Sequence, residues 1–93
     1  MKLHVKLYLN HFGYDTSDFI PCEVCGAKAV DINHIDARGM GGSKTKDVIE
    51  NLMAMCRADH LKYGDKKQFK EMLKKIHVNK LYEHKKHYDT ITP

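Results

Sequence analysis

The apolar positions of the chain change period several times. Over residues 3–9, Leu3, Val5, Leu7 and Leu9 alternate with other side chains at the period of a strand. Leu3, Leu7, Tyr8 and Phe12 equally share one helical face, so strand and helix both stay open there. Gly13 ends the element in either case, and Asp15-Thr16-Ser17-Asp18 is loop or helix-cap chemistry. From Pro21 the pattern becomes a tight turn, Pro21-Cys22-Glu23-Val24-Cys25-Gly26. Ala29–Ile35 then reads as a strand, with Val30, Ile32 and His34 on one face and Asp31, Asn33 and Ile35 on the other. The glycine-rich Arg38–Ser43 is loop, and a second strand fits only as a short piece near Lys46–Ile49. Glu50-Asn51 opens a new element, with Asn51 as N-cap or turn-stabilising side chain and Leu52, Met53 and Met55 as core. Gly64 ends a helix that carries His60, and Asp65 can cap the next one. From Lys66 to Tyr88, Phe69, Met72, Leu73, Ile76 and Leu81 recur at roughly helical spacing among lysines. This predicts a basic amphipathic helix, bending near Val78-Asn79.

No repeat, low-complexity tract or linker divides the 93 residues, which predicts a single domain. The chain is 42% hydrophobic and 30% charged, with no Trp and three Phe. A core this thin calls for a staple. There is no apolar run of about 20 residues for a membrane span. Met1–Lys6 lacks the apolar stretch of a secretory signal, so the expected location is cytoplasmic. In that compartment three cysteines, two of them as Cys22-x2-Cys25, point to metal before disulfide. The net charge of +4 is uneven. Residues 1–60 carry seven Lys/Arg against eight Asp/Glu, whereas residues 61–93 carry nine Lys against four acids. Attraction to a polyanion therefore belongs mainly to the last third, where a merely solvated helix face is the competing account.

Zinc takes about four ligands in a tetrahedron, and Cys-x2-Cys supplies two from one turn. Cys56-Arg57-Ala58-Asp59 repeats the spacing with a carboxylate in last place, which gives a three-thiolate, one-carboxylate set of Cys22, Cys25, Cys56 and Asp59. Buried reduced thiols beside a surface carboxylate are the alternative. Of seven histidines, His34 ends an apolar strand and His60 follows the fourth knuckle ligand directly. His4, His11, His77, His84 and His87 read as solvated surface side chains.

Asn33-His34 on a strand, a glycine-rich loop, Asn51 at an element start and His60 on the next helix, in this order behind a cysteine pair, resemble the HNH endonuclease family. The likeness runs from Pro21 to about Asp65; short phage-type and mobile-element members look similar in the flanks. It implies a small α+β fold: a ββα-metal (His-Me finger) core with a zinc knuckle over 21–65. Residues 1–20 would support it, and a basic helix over 66–88 would complete it. Carried over, His34 matches the base that activates water, and His60 matches the helix ligand of a catalytic divalent cation (Mg²⁺, Mn²⁺ or Ni²⁺). Asn51 matches the middle residue of the family name, tightening the loop or lending an oxygen to the metal. Asn33 stands where members usually place Asp or His on that cation, and its neutral amide is a weaker ligand. Asp31 shares the face of Asn33, about 6–7 Å away. Gly64 stands where colicin-type members keep a further histidine.

The implied activity is metal-dependent hydrolysis of DNA phosphodiester bonds. Duplex DNA would be the partner, gripped through its backbone by Arg38, Lys44, Lys46, Lys66, Lys67 and Lys70. A non-catalytic nucleic-acid-binding module on the same scaffold is the first alternative, and a zinc-stapled protein-interaction domain the second. Oligomeric state stays open.

Overall fold

The computed structural model describes residues 2–36, 47–64 and 66–91, with side chains described up to residue 86. Arg38, Lys44, Lys46, Asp65 and the glycine-rich loop lie outside the described residues. The element order is α1 (Leu3–Phe12), β1 (Asp31–His34), a 3₁₀ turn (Ile49–Asn51), β2 (Leu52–Met55), α2 (Arg57–Tyr63), a second 3₁₀ turn (Lys67–Phe69) and α3 (Lys70–Ile91). β1 and β2 pair antiparallel, with Asp31 opposite Met55 and His34 opposite Leu52.

The ambiguous N-terminal segment is a helix. Val5, Tyr8, Leu9 and Phe12 fall at i, i+3, i+4 and i+7, and they make the stripe that packs on the sheet. Gly13 closes α1 at φ 73°, where its amide and that of Tyr14 satisfy the last carbonyls. A lone edge strand of this length would have left its backbone groups without that internal satisfaction.

Strand alternation gives the sheet two covered faces. Ile32, Ala54 and Leu52 face Tyr8 of α1, whereas Met53, Met55 and Ile35 face Leu73 of α3, with Tyr63 of α2 alongside. All four residues of β2 are buried, which corrects the strand expected near Lys46–Ile49. A strand covered on both sides shows no alternation, only a short apolar run that imitates the start of a helix. Val48 and Ile49 lead instead into the 3₁₀ turn. β1 is also shorter than Ala29–Ile35, and Val30 is an exposed residue outside it. The C-terminal helix begins at Lys70 after the 3₁₀ turn and continues through Val78 and Asn79 without a break.

His77 corrects the surface reading most sharply. Its side chain is fully buried on α3; Nδ1 bonds Glu23 Oε1 at 2.8 Å and Nε2 bonds the Ile49 carbonyl at 2.6 Å. Both partners only accept, so both ring nitrogens donate and the ring is an imidazolium. Glu23 also accepts the Tyr8 hydroxyl (2.7 Å) and the Ala54 amide (3.2 Å) at Oε2. Burial opposes the charge on His77, but the hydrogen bond and charge of Glu23 outweigh it and raise the pKa. The same burial, with Glu23 beside it, pushes the Tyr8 phenol far up.

Candidate metal centre and catalytic site

The knuckle is a short hairpin. Cys22 N–H donates to the Ala27 carbonyl, Gly26 N–H donates to the Cys22 carbonyl, and a bridge pairs Pro21 with Lys28. Gly26 turns the chain at φ 83°, a left-handed conformation that suits glycine. The second half of the set comes from the start of α2. Cys56 is its N-cap, its Sγ accepting the Asp59 amide at 3.4 Å, and Asp59 sits in the first turn.

These residues converge. The ligand atoms of Cys22, Cys25, Cys56 and Asp59 all lie within 4.8 Å of one another. Cys25 Sγ and Cys56 Sγ are 3.7 Å apart, and Cys22 Sγ is 3.3 Å from Asp59 Oδ2. A tetrahedral ion with Zn–S near 2.3 Å and Zn–O near 2.0 Å would set these edges at about 3.8 and 3.5 Å. The three cysteines are free thiols. Hydrogen bonding to the Asp59 carboxylate, helped by the neighbouring thiols, pushes the Cys25 thiol up to about 12. The same hydrogen bond holds Asp59 below the usual carboxylate range. Three sulfurs and a carboxylate oxygen at these separations are a donor set that one divalent cation would hold together. The cluster therefore fits a metal ion such as zinc.

At the far end of β1, His34 projects toward the α1 face. Its Nε2 lies 2.6 Å from Oδ1 of Asp47, whose side chain is 5% exposed. A carboxylate accepts only, so Nε2 is the ring nitrogen that donates to Asp47. The His4 ring from α1 packs against the His34 ring at 4.7 Å between centroids. Burial and His34 lower the pKa of His4, while Asp47 and Asp31 pull it the other way. His4 thus belongs to the same cluster, and it too departs from the surface reading.

His60 projects from α2 on the other side of β1. Its Nδ1 is 3.3 Å from Asp31 Oδ2, and both side chains are partly exposed. They line a surface cavity together with Val30, Arg57 and Leu61. Asn33 shares the Asp31 face but is buried, and its Nδ2 has no hydrogen-bond partner among the described residues. Asn51 is also buried: Oδ1 accepts the Asp36 amide at 2.8 Å and Nδ2 donates to the Asp36 carbonyl at 3.0 Å. It clasps the chain after β1 to the 3₁₀ turn. Gly64 lies against His60, since a Cβ there would stand 2.5 Å from the His60 carbonyl oxygen and 2.6 Å from ring Cδ2.

The lysines expected on DNA are not equivalent. Lys66 Nζ donates to the Leu61 and Lys62 carbonyls and caps α2, Lys70 pairs with Asp36 at 3.3 Å, and Lys67 lies exposed on the second 3₁₀ turn. Sequence reasoning missed Asp47 and the Glu23–His77 pair. Asp47 lies 13 positions from His34, and Glu23 and His77 are 54 positions apart, too far for a local pattern to mark either pair.

A two-stranded hairpin followed by a helix, with a cysteine knuckle in front and histidines on both β1 and α2, has the layout of the ββα-metal fold class. Residues 22–66 match the family model described as HNH endonuclease, and this segment of the chain is an HNH-family domain. No curated protein and no solved structure matches the chain significantly.

Proposed function

We propose that the protein is a metal-dependent endonuclease that hydrolyses DNA phosphodiester bonds. The supporting observation is the His34–Asp47 pair, which engages one imidazole nitrogen and holds the ring within a segment that matches the HNH family. In this reading His34 Nδ1 takes the proton from the attacking water, and Asp47 fixes the tautomer and steadies the imidazolium that forms. A divalent cation beside His60 supplies charge stabilisation for the phosphoryl oxygens when bound. Cys22, Cys25, Cys56 and Asp59 hold zinc and fix the start of α2, and so the direction of His60. Asn51 keeps the loop end in register. Lys67 and the exposed face of α3 approach phosphates, which positions the duplex and reads little sequence.

The test is relaxed plasmid incubated with zinc-loaded protein and Mg²⁺, Mn²⁺ or Ni²⁺, beside His34→Ala. Nicking by the wild type that the variant loses is the expected result. Equal cleavage by both refutes the role of His34. Silence from both, with DNA still bound, favours the binding module, a reading that the neutral Asn33 supports. Asn33→Asp then discriminates, since a gain of cleavage marks a weakened nuclease. Binding to a labelled duplex is expected to weaken by about tenfold or more between 50 and 200 mM salt; a flat response would rule out the lysines as phosphate contacts.

A further inference from the structure

We infer that the second protein ligand of the catalytic cation is Asp31, paired with His60, and that the buried Asn33 is not one. The inference rests on the nuclease reading of residues 22–66 and names the ligands for its metal. On β1, Asp31 and Asn33 point to the same face, toward α2. Asp31 Oδ2 and His60 Nδ1 are 3.3 Å apart. Two ligands of one octahedral cation, each about 2.1 Å from it, stand about 3 Å apart. Both side chains open onto the cavity shared with Val30, Arg57 and Leu61, so the remaining positions around a cation are open to water and a phosphate oxygen.

Asn33 differs on each count. The residue is only 6% exposed, and the side-chain atom left without a partner among the described residues is the donor Nδ2. A donor does not ligate a cation. The carboxylate that Asn33 lacks is thus supplied one pleat earlier on the same strand. An imidazole nitrogen with one carboxylate is a borderline donor set, which selects Mn²⁺ or Ni²⁺ over Mg²⁺.

The experiment reads metal binding directly. Zinc-loaded protein, its knuckle already filled, is titrated with Mn²⁺, and free Mn²⁺ is followed by electron paramagnetic resonance. Asp31→Asn is expected to weaken Mn²⁺ binding at least tenfold, while Asn33→Ala stays within about twofold of wild type. Zinc content and circular dichroism report whether each variant is folded. If Asp31→Asn does not fold, Asp31→His serves, with Mn²⁺ weakened and Ni²⁺ retained. A titration of the folded position-31 variant that superimposes on wild type overturns the assignment. The two readings fail separately. Mn²⁺ binding that depends on Asp31 without any plasmid cleavage keeps the cation site and sinks the nuclease. Cleavage that depends on His34, with Mn²⁺ binding indifferent to Asp31, does the reverse.

Discussion

Gly64 shows how one missing carbon can let a neighbouring side chain and carbonyl approach the backbone closely. Its backbone is ordinary for any residue, at φ −66°, so the demand for glycine is steric: a methyl would overlap the His60 carbonyl and ring. Gly64→Ala is expected to cost about 1–3 kcal/mol, as overpacking against backbone does. Thermal melting would show it, and an unchanged midpoint would contradict the close approach. Asp47 bears on a different property, the hydrogen bond that holds the His34 ring. Asp47→Asn keeps the shape but offers a group that can donate as well as accept, so Nδ1 is no longer reserved as the base. Cleavage should fall by about two orders of magnitude or more, with the far-ultraviolet spectrum and zinc content unchanged. A variant as active as wild type would remove Asp47 from the mechanism.

At the scale of elements, the knuckle and α2 form one unit, because Cys56 is both a candidate ligand and the N-cap of the helix that carries His60. Purified protein is expected to hold one zinc per chain. Removing it with a chelator should lower the melting temperature and loosen α2, since metal binding of this kind is folding energy. Asp59→Cys replaces the carboxylate with a fourth thiolate and should hold zinc against a competing chelator at higher concentrations than wild type. If it released zinc more readily, Asp59 would not occupy the fourth position. This unit was legible in the sequence because its signals are local: two x2 spacings, a glycine after the turn, and a histidine directly after the last ligand. β2 was not, because a four-residue strand covered on both faces carries no alternation. α1 was half legible; its alternating leucines hid the Val5, Tyr8, Leu9 and Phe12 stripe until the sheet supplied a surface to pack on.

At the scale of the whole molecule, one buried acid ties together elements distant in sequence. Glu23 lies between the two knuckle cysteines, yet it bonds Tyr8 of α1, the Ala54 amide of β2 and His77 of α3. No local pattern marks such a network, since a histidine among lysines looks solvated until its partner is known. The raised pKa of His77 gives a pH dependence with a definite sign. An unfolded histidine releases its proton near pH 6.5, whereas the folded one holds it longer, so the pair contributes in full below about 6.5. That contribution is lost as pH rises through the folded value. Chemical denaturation of the zinc-loaded protein from pH 6 upward should show stability declining, and His77→Gln should flatten the decline. Removing the imidazolium leaves the Glu23 charge buried without its cationic partner, with an expected loss of about 3–5 kcal/mol. Stability that rose with pH in the wild type and not in the variant would reverse the assignment.

Tyr8 has a consequence for modularity. The HNH segment begins at residue 22, but the hydroxyl that closes over its buried acid comes from α1, and the imidazolium opposite comes from α3. Residues 22–66 cut out and grafted into another protein would carry the cysteines, His34 and His60, and would also carry a carboxylate stripped of both partners. The chemistry of this domain can be transplanted only with its flanks, or with Glu23 redesigned.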